Sequence, residues 1–275
     1  MSSGRRPLGA GDMRENAVKR LWEQDRPAFG GWLTIPSAFS AEVMAHQNLD
    51  WLCIDMQHGL IDYDMALAML QAISTTATTP FVRVPWNDSA IIMKMLDAGA
   101  YGVIVPMVNS RAEAEAAVAA CRYPPQGIRS FGPIRAVYYA GLDYFAHANQ
   151  ELACIPQIET TAALENLDEI LSVEGVDAVY IGPMDLSISL GLPPQMDSDL
   201  PAYAEARQRI LEACRRHSVV AGIHSTVATT PKRIAEGFRM VLASSDSGAL
   251  ARAVGEDIRA VRGADPGAPG GSAYQ

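Results

Sequence analysis

Lysine is the scarcest charged residue of this 275-residue chain, occurring only as Lys19, Lys94 and Lys232. Schiff-base chemistry on a barrel needs a lysine at a strand end. These three fall within helix-like segments or at a helix start, so that chemistry is not expected. Cysteine is nearly as scarce. Cys53, Cys121, Cys154 and Cys214 lie far apart with no CxxC pair, which reads as reduced buried thiols rather than a disulfide frame or zinc site. Basic charge is also short, with 22 Lys and Arg against 31 Asp and Glu, a net −9. No basic face is implied, and nucleic acid is not an expected partner. No apolar run approaches the ~18 residues of a membrane helix. The opening MSSGRRPLGAGD has no hydrophobic stretch after its arginines, so a secretory signal is not expected and a cytoplasmic location is. Neither GxGxxG after the first strand nor a P-loop is present, which removes the usual nucleotide-binding readings.

What is present is a regular alternation of short apolar runs and longer helix-like segments. Strands are expected over 29–35, 51–57, 80–85, 102–107, 153–159, 178–183, 219–225 and 239–244. Near-continuous apolar runs of this kind suit parallel strands covered on both sides by helices. Helices are expected to open at Asp62, at Asn87-Asp88-Ser89, at Ser110, at Thr160-Thr161, after Pro201 and after Thr229-Thr230, with a last one over ALARAVGEDIRAVR. A further helix, over roughly 13–24, precedes the first strand. Eight βα units in about 250 residues predict an α/β TIM barrel, (β/α)8, with an extra N-terminal helix. The expected organisation is a flexible N-terminus (1–12), one barrel domain (13–263) and a disordered tail (264–275). The stretch from Tyr123 to Gln150 is too long for a plain connection and reads as a functional loop.

In a TIM barrel, chemistry gathers at the C-terminal ends of the strands. Four runs place polar groups there: Asp55-Met56-Gln57-His58, Arg83, Gln157-Ile158-Glu159, and Gly182-Pro183-Met184-Asp185. Gln157 and Glu159 are two apart and share a side of the sheet. Glu159 and Asp185 come from neighbouring strands without sulfur or clustered histidine, a donor set that suits a hard divalent cation. The alternative is that Glu159 caps the next helix and Asp185 closes a turn. His58, three residues from Asp55, is either a general base or a hydrogen-bonded turn residue. Arg83 within an apolar strand answers either a bound anion or an ion pair with Asp55. Asp97, in the last turn of its helix, is either a surface residue or the partner of a histidine or arginine.

The segments WLCIDMQHG, FVRVPWND with KMLDAGAYGVIVPMV, RYPPQGIRSFG, IPQIET and VEGVDAVYIGPMDLS together resemble the HpcH/HpaI aldolase family of metal-dependent class II pyruvate aldolases. They run in family order over roughly residues 29–260. The DMQH and RSFGP variants resemble the hydroxyketoacid or hydroxypyruvate aldolase members. The resemblance implies a divalent-metal-dependent lyase that joins or cleaves 4-hydroxy-2-oxo acids, from pyruvate or hydroxypyruvate and an aldehyde, through an enolate held at the metal. It implies Glu159 and Asp185 as ligands of Mg²⁺, Mn²⁺ or Co²⁺, and Gln157, Gly182 and the backbone at Met184-Asp185 as the oxo-acid site. His58 would be the base, Asp97 would raise its basicity, in one reading from a neighbouring subunit, Arg83 would stabilise the transition state, and Asp55 would organise the group. Two departures stand out: Gln57 where many relatives have Glu, and His224 where relatives often have an apolar residue near the aldehyde pocket. His224 either binds a polar acceptor or is a satisfied core histidine. The resemblance also implies a homo-oligomer, a hexamer built as a trimer of dimers. The alternative activities are a lyase or decarboxylase acting on oxaloacetate, a CoA ester or a biosynthetic intermediate, with Arg129 and Arg135 either as the basic residues for a CoA ester or, equally, as a lid over a carboxylate. A non-catalytic barrel binding protein is the remaining alternative.

Overall fold

The computed structural model describes residues 13–262; the expected flexible N-terminus (1–12) and tail (264–275) lie outside the described residues. Eight parallel strands close into one barrel in sequence order: β1 (Ala28–Leu33), β2 (Trp51–Asp55), β3 (Thr79–Arg83), β4 (Gly102–Val105), β5 (Ala153–Ile158), β6 (Ala178–Ile181), β7 (Val220–Ile223) and β8 (Met240–Ser245). Every residue of β2 through β6 is buried. Their mostly apolar character, interrupted at Asp55, Thr79, Arg83 and Gln157, follows from facing side chains inward and helices outward. The observed strands stop before several of the polar residues at the ends of the apolar runs. Gln57, His58, Glu159 and Gly182 therefore stand in the loops at the barrel mouth.

The expected N-terminal helix is present as Ala17–Glu23, capped by Asn16, whose amide also donates to the carbonyls of Tyr101 and Glu151. Side-chain caps start Tyr63–Ile73 at Asp62, Ser89–Asp97 at Asp88, Arg111–Cys121 at Ser110 and Thr161–Glu165 at Thr160. Each such cap is worth about 1 kcal/mol. The single helix expected after β5 breaks at Asn166 into Thr161–Glu165 and Leu167–Leu171. Two further helices have no counterpart in the sequence reading. Ala38–Ala45 is apolar on most sides and presents no clean stripe, and Pro183–Ser189 starts directly on a proline at the mouth. The stretch 123–150 is not one loop. It holds the short helices Ala136–Ala140 and Tyr144–Glu151, separated by Gly141 at φ 125°. Closure between β1 and β8 is secured by buried Asp246, which accepts the backbone N–H groups of Thr34 and Ile35 (3.0 Å each).

Candidate active site

Asp55 ends β2 and Arg83 ends β3, and the two are register partners, so their side chains emerge side by side. The pair is bidentate: Arg83 Nε donates to Asp55 Oδ1 (2.8 Å) and Nη2 to Oδ2 (2.6 Å). Three more donors converge on the same carboxylate. The backbone N–H groups of Gln57 and His58 reach Oδ1 (3.0 and 3.2 Å), and the indole Nε1 of Trp32 reaches Oδ2 (3.1 Å). Burial would raise the Asp55 carboxyl, but Arg83 and these donors outweigh it and hold it below its ordinary value. Burial likewise opposes the charge of Arg83, and Asp55 more than restores it. The ion pair accounts for a charge buried in an apolar strand. Removing one partner of such a pair costs about 3–5 kcal/mol. Arg83 Nη1 makes no hydrogen bond within the described residues, which leaves it available at the mouth.

Glu159 follows β5 directly and is 1% exposed. Oε1 accepts the backbone N–H of Met107 (2.8 Å), and Oε2 accepts Gln157 Nε2 (3.0 Å). Met107 adopts φ 55°, the left-handed region. No Lys, Arg or His among the described residues forms an ion pair with Glu159. Burial first, then the Asp185 charge, raises its carboxyl to about 7, against the opposing pull of the Met107 N–H and Arg83. Gln157 Oε1 is buried without a partner. Gly182 is what allows this approach, because a Cβ there would stand 2.3 Å from Glu159 Oε2 and 2.9 Å from Gln157 Nε2. Asp185, in the first turn of Pro183–Ser189, is exposed and has neither hydrogen bond nor ion pair among the described residues. Thr160, not Glu159, caps the next helix, so the capping alternative for Glu159 does not hold. Among the described residues no three His, Cys, Asp or Glu side chains cluster as a metal site. A cation here would rest on two carboxylates and be completed by water and substrate.

His58 is exposed, its ring makes no hydrogen bond within the described residues, and its backbone is anchored on Asp55. His224, one residue past β7, is half-buried, with its ring edge-on to Trp32 at 4.9 Å between centroids. Burial, aided by the Arg83 charge, lowers it to about 4, so the imidazole is neutral. Asp97 pairs with Arg129, Nη2 to Oδ1 at 2.6 Å, and no hydrogen bond joins it to His58. Arg129 is buried between the rings of Tyr123 and Tyr144. Arg135 donates to the carbonyls of Ala98 and Leu70. Both arginines offered for a CoA ester are thus occupied inside the fold, which corrects that expectation. The lysines are occupied too: Lys19 pairs with Asp177, Lys232 with Asp199, and Lys94 lies over Tyr63. Trp32 is the participant that sequence reasoning missed. Its register opposite Cys53 turns it to the same side as Asp55, and only alternation combined with the correct strand pairing reveals this.

A closed parallel barrel with a histidine, a guanidinium and carboxylates gathered where its strands end defines a (β/α)8-barrel enzyme. A family model for HpcH/HpaI aldolase/citrate lyase matches residues 29–253. A hydroxypyruvate/pyruvate aldolase of Rhizorhabdus wittichii is 43% identical over 253 residues, 90% of this chain and 100% of that protein. A 4-hydroxy-2-oxo-heptane-1,7-dioate aldolase of Shigella flexneri is 40% identical over 87% of this chain and 90% of its own. A crystal structure of a family protein from Burkholderia cenocepacia superposes with a TM-score of 0.84 at 32% identity, covering 90% of this chain and 99% of that one. The chain belongs to the HpcH/HpaI aldolase/citrate lyase family.

Proposed function

We propose that the chain is an aldolase that forms and cleaves 4-hydroxy-2-oxo acids, with pyruvate or hydroxypyruvate as the 2-oxo acid and an aldehyde as acceptor. The observation that carries this reading is the buried Glu159 carboxyl, held by hydrogen-bond donors and lacking a cationic partner, within electrostatic reach of both Asp185 and Arg83. A divalent cation, which the family resemblance implies, fits these residues: Glu159 and Asp185 would hold Mg²⁺, Mn²⁺ or Co²⁺ with positions left open. When bound, the ion supplies the Lewis acidity that polarises the ketone and acidifies C3.

The chain's own side chains supply the remaining chemistry. The uncapped backbone N–H groups at Met184 and Asp185 bind and orient the oxo acid, with Gly182 leaving room for it, and Gln157, through its unpartnered Oε1, accepts the C3 hydroxyl when the acid is hydroxypyruvate. His58, exposed and free of internal hydrogen bonds, removes the C3 proton through its ring. Arg83 Nη1 faces the oxygen on which negative charge develops and stabilises it. Asp55 fixes Arg83 and the His58 backbone together. His224, neutral and with its ring nitrogens unbonded, hydrogen-bonds a polar acceptor. Asp97 acts on His58 from a neighbouring copy. Asp97 Oδ2 lies beside Gly132 in a segment with Ile128, Phe131, Ile134 and Tyr138 exposed, which supports association through that face in a trimer of dimers.

The test is exchange of the C3 protons of pyruvate and hydroxypyruvate in D₂O without aldehyde, before and after EDTA and after each metal is restored. Metal-dependent exchange is the expected result. Full activity after complete chelation, or no exchange with either acid, overturns the reading. An aldehyde panel with both acids then identifies the acceptor.

A further inference from the structure

Trp32 touches Asp55, Arg83, Tyr180 and His224 at the barrel mouth. Its Nε1 donates to Asp55 Oδ2, the oxygen that also accepts Arg83 Nη2. Its ring lies against the Arg83 guanidinium at 5.0 Å from the centroid. The ring stacks on Tyr180 at 5.6 Å and 17° and meets His224 edge-on. The indole is thus fixed by stacking and hydrogen-bonded to the carboxylate that orients Arg83. Asp55 and Arg83 could swing as one unit about the ends of β2 and β3, since a bidentate pair fixes its two members only relative to each other. The Gln57 and His58 amides hold Oδ1 from the loop side. Trp32 holds Oδ2 from β1.

We propose that Trp32 is a positioning residue for Arg83: its N–H locks Asp55 and its ring face backs the guanidinium, which together set where Nη1 points. The role in turnover rests on the aldolase reading; the positioning itself does not. Two replacements separate ring from N–H. A benzothiophene amino acid at position 32 keeps the ring shape and removes the donor, and Trp32→Phe removes the donor and shrinks the ring.

Two measurements decide the matter. In ¹⁵N-arginine-labelled protein, solvent exchange of the Arg83 Nε–H should quicken by about threefold or more once the indole donor is gone. In the C3-proton exchange assay, kcat should fall about tenfold with KM for the oxo acid within about twofold, the split expected when only the orientation of a transition-state stabiliser is lost. In the Asp55→Asn background the benzothiophene replacement should cost almost nothing further, because the indole N–H acts through Asp55. Unchanged Arg83 exchange in the benzothiophene protein overturns the proposal, as does a full multiplicative loss in the double variant. If the parent protein exchanges no C3 proton, the aldolase reading fails, and the guanidinium measurement still decides the role of Trp32.

Discussion

Glu159→Gln should make the metal-free protein more stable at alkaline pH while removing its response to divalent cations. The substitution preserves shape and removes one buried charge. Glu159 Oε1 accepts the Met107 N–H, a bond the Gln carbonyl keeps. Oε2 accepts Gln157 Nε2, and the new amide nitrogen would oppose that donor. Turning the Gln157 amide over gives the new N–H an acceptor and moves Gln157 Nε2 to the place where Oε1 had no partner, so the number of unpartnered buried groups is unchanged. In the unfolded chain a glutamate releases its proton near 4.5, whereas the folded chain, chiefly through burial, keeps it to about 7. Between these values the folded state binds the extra proton. Stability therefore falls as pH rises through this window, and the full cost is present above pH 7. At about 1.4 kcal/mol per pH unit, that cost is roughly 3 kcal/mol for the ionised folded state. Urea denaturation in EDTA at pH 5 and pH 8 measures it. Wild-type protein should lose stability between the two conditions by about 2.5 kcal/mol relative to Glu159→Gln, the remainder being already lost by pH 5. Mn²⁺ should raise the melting temperature of wild type only. Equal pH dependence in the two proteins, or an equal cation response, would refute the assignment of Glu159 as an uncompensated buried carboxylate awaiting a cation.

Arg83→Ala should lower kcat by at least ~10²-fold, the loss expected for one preorganised charge stabiliser; near-normal kcat would leave Arg83 only its ion pair with Asp55. Gly182→Ala should weaken Mn²⁺ binding, read by calorimetry, because the added methyl would stand 2.3 Å from Glu159 Oε2 and must displace it. Affinity equal to wild type would mean that Glu159 does not hold the ion. Asp246→Ala, which strands the N–H groups of Thr34 and Ile35, should lower stability by about 2–4 kcal/mol in urea denaturation.

The barrel was legible because each strand is a short apolar run followed by a helix-like segment, and the closing count of eight left few other topologies. Ala38–Ala45 escaped because its apolar residues fall on most sides, so no helical stripe marks it. The helices within 123–150 escaped because Gly141 and the aromatic residues around it read as loop. Within the site, Glu159, Asp185, Arg83 and His58 announce themselves as polar residues following apolar runs or, for Arg83, within one. Their partners do not. Arg129 is 32 residues from Asp97, and Trp32 reaches Asp55 only through the pairing of β1 with β2. The sequence also cannot say that Met107 adopts a left-handed backbone to aim its N–H at Glu159. Local pattern reveals which groups are costly to bury; only register reveals what compensates them.

Asp55 engages residues 57 and 58 through backbone N–H groups and neither side chain. The anchorage of the loop that carries His58 is therefore indifferent to which side chain stands at 57, provided it is not proline, which has no N–H to give. A carboxylate or an amide can occupy that position while the same five donors stay on Asp55. The charge at position 57 can thus change without altering the backbone anchorage of His58. Position 57 is a dial on this mouth, and position 55 is its fixed axle.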